Sequence, residues 1–183
     1  MALAKKVLKT IEDIEALPEG TRAELIDGEI FYNMAAPTFA HQEIVSFLTQ
    51  RIRNYIEANH GKCKVISSPF DVQLSADDKY NLVQPDVTVV CDRDKLSNGK
   101  RCIGAPDWVI EVVSPSAKAQ DYMIKLNKYQ RAGVREYWII DPEKKRIMTY
   151  DFEGNIWDEH YFDEIVKVGI YPNLEIDFTL LDL

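Results

Sequence analysis

The sequence predicts an α/β or α+β domain in which helices flank a central mixed β-sheet. Strand-like, helical and strand-like segments follow one another over residues 107–113, 114–132 and 134–141, a succession that is typical of this architecture. Residues 82–91 and 107–113 are each apolar at nearly every position around one carboxylate, which indicates strands covered on both faces. The chain has 183 residues, and we expect residues 1–183 to form a single domain with a substantial core.

The N-terminal part predicts a short helix, a hairpin and the longest helix. Residues 10–17 begin with a threonine that can cap a short helix. The pair Asp27-Gly28 separates two β-prone runs and favours a tight hairpin turn, with Glu24 on the first strand. Apolar side chains recur at helical spacing over residues 38–59. Because His41 continues this stripe toward the helix start, we expect its side chain to face inward, either as a core histidine or toward a site.

The other segments predict short strands and loops. Residues 64–74 form a strand pair or one bent strand, and residues 92–104 form an exposed loop. Residues 146–162 predict a hairpin that extends the sheet or covers an edge, and residues 165–183 predict further short strands. The expected architecture is therefore a central mixed sheet with an added N-terminal hairpin and added C-terminal strands.

Composition narrows the classes of function and location. The formal net charge of −8 argues against a protein that coats nucleic acid nonspecifically, because nonspecific affinity for nucleic acid comes largely from Lys and Arg. A local basic patch is still compatible with this net charge. No apolar run is long enough for a membrane span, and the first residues lack the apolar core of a signal peptide. We therefore expect a cytoplasmic protein. Cys63, Cys91 and Cys102 lack a zinc-binding spacing, and reduced, mostly buried thiols are expected.

Two carboxylates and one lysine stand out as a candidate site. Asp86 and Glu111 each lie within an apolar strand-like run, and Lys125 lies on the helix that follows. A buried carboxylate is costly unless it is paired or binds a metal. On neighbouring strands, Asp86 and Glu111 could share a Mg²⁺ ion, with Lys125 nearby to position water or a phosphate. Asp107 is a strand-entry residue instead, because its Cα should lie about 13 Å from that of Glu111 along one strand.

Ordered motifs along nearly the whole chain resemble the Uma-type restriction endonuclease family of the PD-(D/E)XK nuclease superfamily. The motifs are residues 24–29, His41, residues 84–87, residues 104–116, residues 125–129, residues 133–138 and residues 141–142.

The resemblance implies a restriction endonuclease-like core and a set of site residues. It implies Asp86 and Glu111 as metal ligands, with Mg²⁺ as the cofactor and Mn²⁺ as an alternative. The superfamily pattern places a lysine two residues after the acidic residue, where this chain has Val113, so Lys125 is the candidate catalytic lysine. Glu24 and His41 are implied to line the site. Tyr129 lies one helical turn beyond Lys125 and could orient it.

Three functions remain open at this stage. The first is a metal-dependent endonuclease that hydrolyses phosphodiester bonds of DNA with a metal-activated water. The second is a non-catalytic interaction or scaffold protein that keeps the nuclease fold, and the third is a hydrolase for another phosphate ester, including RNA. For the first function we expect double-stranded DNA as the substrate and a homodimer, because two copies related by two-fold symmetry can cut both strands. Trp157, Tyr161 and Phe162 could supply the interface or could belong to the core.

Overall fold

The computed structural model describes residues 7–32, 36–113 and 119–183. Within these residues the α-helices are α1 (Ile11–Glu15), α2 (Phe39–Ala58) and α3 (Ala119–Ala132). The strands are β1 (Ala23–Ile26), β2 (Glu29–Tyr32), β3 (Lys64–Ser67), β4 (Val72–Gln73), β5 (Val87–Val90), β6 (Cys102–Ile103), β7 (Trp108–Val112), β8 (Glu136–Asp141), β9 (Arg146–Asp151), β10 (Ile156–Tyr161), β11 (Ile165–Lys167) and β12 (Glu175–Asp177).

Six of these strands form the central sheet, in the order β10-β9-β8-β7-β5-β3. Strands β7 and β8 run parallel, and every other neighbouring pair in this sheet runs antiparallel. Helix α3 makes the connection between the two parallel strands, as a parallel pair requires a long crossover. The sheet is therefore mixed and the fold is α+β, which confirms the predicted fold class.

Helices cover the central sheet on both faces. Ile44 and Leu48 of α2 pack in one apolar cluster with Trp108 of β7. On the other face, Tyr129 of α3 packs with Val109 of β7. Because side chains alternate along a strand, β7 supplies residues to both clusters and is buried along its whole length. The apolar run that predicted a doubly covered strand is explained by this arrangement.

The N-terminal hairpin and the C-terminal strands are added to this core, as predicted. Asp27 and Gly28 both have positive φ, 51° and 72°, which is the conformation of the tight turn that suits a twisted hairpin. The backbones of Leu25 and Leu82 exchange two hydrogen bonds of 2.8 Å, which attach β1 to the rest of the domain. The β9–β10 hairpin extends the central sheet at one edge, and β11 pairs with β12.

Some element boundaries differ from the sequence prediction. Strand β5 begins at Val87 rather than at the predicted Leu82, because Pro85 has no N–H to donate to a sheet. The run over residues 64–74 divides into β3 and β4, which belong to different sheets. The predicted start of the third helix, at residues 114–116, lies outside the described residues. Helix α3 ends before Gly133 as predicted, and the φ of 91° there favours glycine.

The prediction of reduced thiols is wrong for two of the three cysteines. Lys64 pairs with Val90 in the antiparallel β3–β5 ladder, so the next residues outward, Cys63 and Cys91, stand opposite each other and form a disulfide. Cys102 is a free, buried thiol, as predicted. Across the described part of the chain, no helix combines the length and apolar character needed to cross a membrane.

Candidate active site

Asp86 and Glu111 come from neighbouring antiparallel strands. Val87 pairs with Ile110 in the ladder, so Asp86 and Glu111 are the next opposed positions at the end of β5. Oδ2 of Asp86 accepts a hydrogen bond of 2.8 Å from the backbone N–H of Val112, which fixes this carboxylate against β7. Glu111 itself is buried. The two acidic side chains thus lie side by side at one end of the sheet, as the sequence predicted.

Lys125 joins this pair from the helix that follows β7. Its Nζ donates hydrogen bonds of 2.9 Å to Oε1 of Glu24 and 2.9 Å to Oε1 of Glu111. The lysine is only 8% exposed, so both ion pairs are shielded from water. An ammonium group has three N–H donors, and these two contacts leave one for a further acceptor.

Glu24 and Tyr129 complete the contacts around Lys125 and Glu111. The backbone N–H of Gln84 donates to Oε1 of Glu24 at 2.8 Å, which ties the N-terminal hairpin to the segment before Asp86. The hydroxyl of Tyr129 donates to Oε1 of Glu111 at 2.7 Å. Tyr129 therefore orients the acidic residue directly, through the same oxygen that accepts a hydrogen bond from Lys125.

His41 approaches the acidic pair from the start of α2. Thr38 caps this helix by accepting a hydrogen bond from the backbone N–H of His41, which places the imidazole over the end of the sheet. Nε2 of His41 lies 3.3 Å from Oδ1 of Asp86. Within the described residues, Nδ1 of His41 is buried without a hydrogen-bond partner. The inward orientation predicted for His41 is confirmed, and it faces the site rather than the apolar core.

Burial and neighbouring charges shift the pKa values of Glu111 and His41. Burial raises the pKa of Glu111, and the charges of Glu24 and Asp86 raise it further, while Lys125 lowers it; the outcome is a pKa of about 7. Burial lowers the pKa of His41, but the hydrogen bond to Asp86 and the charges of Asp86 and Glu111 outweigh burial and raise it overall. The site thus holds one acidic group, Glu111, whose charge changes near neutral pH.

The lysine and the tyrosine keep their protons. Burial lowers the pKa of Lys125, but Glu111 and Glu24 outweigh burial and raise the pKa well above its usual range. Burial raises the pKa of Tyr129 far above its ordinary value, and the charge of Glu111 adds to this. Lys125 is therefore a fixed cation and Tyr129 a fixed hydrogen-bond donor at neutral pH.

The donor set is compatible with a hard divalent cation. Glu24, Asp86 and Glu111 bring three carboxyl groups close to Lys125 and His41, and an added cation would relieve the repulsion among the carboxylates. No cage of three or more His, Cys, Asp or Glu ligands occurs in the part of the chain that the structure describes. Mg²⁺ does not require such a cage, because it commonly binds through one or two carboxylates and keeps several waters. The carboxylate donors also suit Mn²⁺ and disfavour a structural zinc ion.

Gln84 is a site residue that the sequence reasoning missed. Besides holding Glu24 through its backbone, it donates from Nε2 to Oδ1 of Asp71 at 2.8 Å. Its Oε1 is buried without a partner among the described residues. The available signal was its position two residues before Asp86, separated from it only by Pro85.

Asp107 stays apart from the site, as predicted. Its Oδ2 accepts a hydrogen bond of 2.8 Å from the backbone N–H of Cys91, and Oδ1 lies 3.4 Å from the guanidinium of Arg135. It stands immediately before β7 and connects that strand to β5 and to the start of β8. Its role is therefore the structural one of a strand-entry residue.

A mixed sheet with two acidic residues on adjacent strands, and a lysine on the next helix, defines a restriction endonuclease-like protein. The chain belongs to the Uma2 family: the family model described as "Putative restriction endonuclease" matches residues 11–179. Membership in this family supports a nuclease function.

A solved structure supports the fold independently. The chain is similar to a protein from Anabaena variabilis ATCC 29413 described as "a putative nuclease belonging to DUF820", with a TM-score of 0.76 and 20% sequence identity. The similarity covers 94% of this chain and 96% of that one. Among curated proteins, none matches the chain significantly.

Proposed function

We propose that this protein is a metal-dependent endonuclease that hydrolyses phosphodiester bonds of DNA. The observation that carries the proposal is the convergence of Asp86, Glu111 and Lys125 at one end of the sheet, with Nζ of the lysine 2.9 Å from Glu111. Such an arrangement combines acidic oxygens for a cation with a fixed positive charge for a phosphate. Family membership supports the same reaction class.

Asp86 and Glu111 would hold Mg²⁺ or Mn²⁺ in this proposal. When bound, such an ion supplies charge stabilisation at a phosphate oxygen and lowers the pKa of a bound water. The backbone N–H of Val112 holds the carboxylate of Asp86, and the hydroxyl of Tyr129 holds that of Glu111. Fixed ligands of this kind matter because small displacements of a catalytic group weaken its effect strongly.

Lys125 supplies a positive charge for the phosphate that is attacked. Its raised pKa keeps it protonated, so it acts as a hydrogen-bond donor and not as a base. Among the described residues its acceptors are Glu24 and Glu111, so the third N–H would serve a phosphate oxygen or the attacking water. His41, whose Nε2 lies 3.3 Å from Oδ1 of Asp86, would help to orient this carboxylate.

The test is a cleavage assay on supercoiled plasmid DNA and on linear duplex and single-stranded DNA, with Mg²⁺ or Mn²⁺ and with a chelator. Wild-type protein should cleave at least one of these DNAs in a metal-dependent way, and Glu111→Gln should not. Glu136→Gln is the matched control, because Glu136 is also a buried glutamate, on the next strand, and its carboxylate is held by backbone N–H groups away from the site. Equal cleavage by wild type and Glu111→Gln would contradict the proposal.

We further propose that the active form is a homodimer. Strand β10 is an edge strand of the central sheet and exposes Trp157 and Tyr161, while Phe162 packs on Phe178 inside the domain. An exposed edge with large apolar side chains favours pairing with a second copy. Sedimentation of wild type and Trp157→Glu tests this: a dimer that the substitution dissociates supports the proposal, and a wild-type monomer excludes it.

A non-catalytic scaffold is the second candidate function, and one observation favours it. Lys125 already forms buried ion pairs with both Glu24 and Glu111, so the cluster is able to exist as a structural network. In that case the protein would bind neither Mg²⁺ nor Mn²⁺ with an affinity that depends on Asp86. Metal binding that is lost on substitution of Asp86 would exclude the scaffold interpretation.

A further inference from the structure

A cleft of about 500 Å³ lies between three segments of the C-terminal part of the chain and does not include the acidic pair. Its lining includes Lys145 of the β8–β9 turn, residues 161–164 at the end of β10, Phe178, Leu181 and Leu183. Ligand pockets in proteins commonly have a volume of this size. The cleft is therefore large enough to take several side chains of a bound molecule.

Contacts within the domain fix the walls of this cleft. The backbone N–H of Phe162 donates a hydrogen bond of 3.1 Å to the carbonyl of Lys145, and that of Phe178 donates one of 3.1 Å to the carbonyl of Glu164. The rings of Phe162 and Phe178 stack with their centroids 5.6 Å apart. All three segments are thus joined to one another, so binding would not have to pay for ordering them.

The negative charge of the protein is concentrated in the segment that forms most of the cleft. Residues 151–183 contain nine acidic residues and one lysine, so they carry a formal net charge of −8, whereas residues 1–150 contain 21 acidic and 21 basic residues. Asp163 and Glu164 line the cleft itself, opposed by the single cation Lys145. An acidic surface attracts a cationic partner and repels the phosphates of DNA. The complementary ligand is therefore basic.

Large apolar side chains are exposed in the same segment. Residues 151–183 expose six of them, and Leu183, which is 46% exposed, lines the cleft beside the half-buried ring of Phe162. Exposed apolar groups that are rimmed by polar ones mark interaction sites. Apolar walls with carboxylates at their border fit a peptide segment that has apolar anchors and flanking Lys or Arg residues.

We propose that this cleft binds a basic amphipathic segment of another protein, with apolar side chains against Phe162 and Leu183 and with Lys or Arg paired to Asp163 and Glu164. This binding does not depend on nuclease activity.

The cleft and the acidic pair lie at the same end of the central sheet. Glu111 pairs with Ile139 in the parallel β7–β8 ladder, two positions before β8 ends. Lys145 belongs to the turn that follows. A bound basic segment would therefore add positive charge at the end of the sheet where the candidate active site lies.

Fluorescence anisotropy with the full chain tests the proposal. The probe is a labelled peptide of about 14 residues made of leucine and lysine, with its leucines at helical spacing. One control peptide has glutamate in place of lysine, and a second has serine in place of leucine. The leucine-lysine peptide should bind more tightly than either control, and its affinity should fall as the salt concentration rises.

Two pairs of variants locate the binding site. Leu183→Ser should weaken peptide binding about 5- to 30-fold, as expected for a residue that contributes strongly to an interface. Leu180→Ser is its matched control, because Leu180 is 57% exposed and lies outside the cleft lining. Asp163→Asn should weaken binding about 1.5- to 5-fold. Glu175→Gln, which removes an exposed acid of β12 outside the lining, should have a smaller effect.

Lys145→Gln tests the sign of the charge on the occupant. Because Lys145 repels a basic segment, its substitution should tighten binding of the leucine-lysine peptide about 1.5- to 5-fold. An anionic occupant would give the opposite result, with weaker binding in Lys145→Gln and preference for the glutamate peptide.

Four results would overturn the proposal. They are absence of binding by the leucine-lysine peptide, equal affinity in Leu183→Ser and Leu180→Ser, preference for the glutamate peptide, and a wild-type dimer that Leu183→Ser dissociates. The last result would identify a second copy of this chain as the occupant. Cleavage of DNA is measured separately, so failure of the nuclease proposal would leave peptide binding intact.

Discussion

Glu111 and Glu136 are two buried glutamates on adjacent parallel strands, and their surroundings differ in kind. Glu136 accepts hydrogen bonds from the backbone N–H groups of Gly169 and Ile170 and from Nε1 of Trp138. Glu111 instead contacts Lys125 and the Tyr129 hydroxyl. Backbone and indole N–H groups therefore surround Glu136, whereas a charged lysine and a tyrosine hydroxyl contact Glu111.

This difference distinguishes a structural carboxylate from one that belongs to a candidate site. The donors of Glu136 hold the segment after β11 against β8, and no other function is needed to explain its burial. Burial raises the pKa of Glu111, and its acidic neighbours Glu24 and Asp86 raise it further, which makes its charge costly in a metal-free protein. A buried acid kept beside other acids is a candidate for binding a cation.

Glu111→Gln gives the largest expected effect on activity. It should reduce DNA cleavage by on the order of 10³-fold, the scale on which loss of one charge-stabilising group acts. The amide can still accept a hydrogen bond from Tyr129, so the fold should persist. Cleavage assays and thermal unfolding of the same preparation check this. Glu136→Gln should keep its cleavage activity per folded molecule. Equal loss of cleavage in the two variants would contradict the assignment of Glu111 to the active site.

Lys125→Met should have the largest effect on stability. It leaves Glu24 and Glu111 buried without their common partner, and loss of one member of a buried ion pair costs about 3–5 kcal/mol. Denaturant unfolding measures this change. The double variant Lys125→Met with Glu111→Gln should recover part of the loss, with a coupling energy of about 0.5–3 kcal/mol. If the changes in the free energy of unfolding were strictly additive, the side chains of Lys125 and Glu111 would not interact.

Glu136→Gln should lower the free energy of unfolding by about 1–3 kcal/mol. The new amide NH₂ must face N–H donors at one position, so at least one buried group loses its hydrogen bond. Urea unfolding monitored by tryptophan fluorescence measures the change, because Trp138 lies beside the substituted group. Unchanged stability would mean that the carboxylate does not hold the segment at Gly169.

The pH dependence of metal binding gives the smallest expected effect. Glu111 must be ionised to bind a cation, and its pKa is about 7 without one. Below that pH, affinity should fall about tenfold per unit as binding releases one proton.

The raised pKa of Glu111 stabilises the metal-free protein fully below pH 4.5, the ordinary pKa of a glutamate, and that contribution is lost as the pH rises through about 7. Calorimetry in buffers of different ionisation enthalpy counts the released proton; no release near pH 7 would contradict the shift.

The sequence predicted the helices and strands of the fold better than it predicted which of them pair with one another. Helical spacing and the Asp27-Gly28 turn identified α2 and the first hairpin, because both signals are local. The disulfide was mispredicted, since Cys63 and Cys91 meet only through the register of β3 with β5. Register depends on which strands pair and at what offset, and single-sequence patterns do not specify either.

The sequence predicted most members of the candidate site, but not Gln84 and not the contacts between the members. Asp86, Glu111 and Lys125 were identified from apolar strands and family motifs, and the structure brings them together. The hydrogen bond of Tyr129 to Glu111 and the link of Gln84 to Glu24 were not foreseen. Those contacts depend on how α3 and the hairpin pack on the sheet, which the sequence does not encode locally.

Calorimetric titration of Mn²⁺ into wild type, Asp86→Ala and Glu136→Gln tests the metal site most directly, with a short DNA strand present to supply phosphate oxygens. Binding by wild type and Glu136→Gln that disappears in Asp86→Ala is the expected result, because Asp86 adjoins Glu111 at the end of the sheet and Glu136 does not. Absence of binding in all three proteins, or equal binding in all three, would show that the acidic pair is a structural ion network and not a metal site.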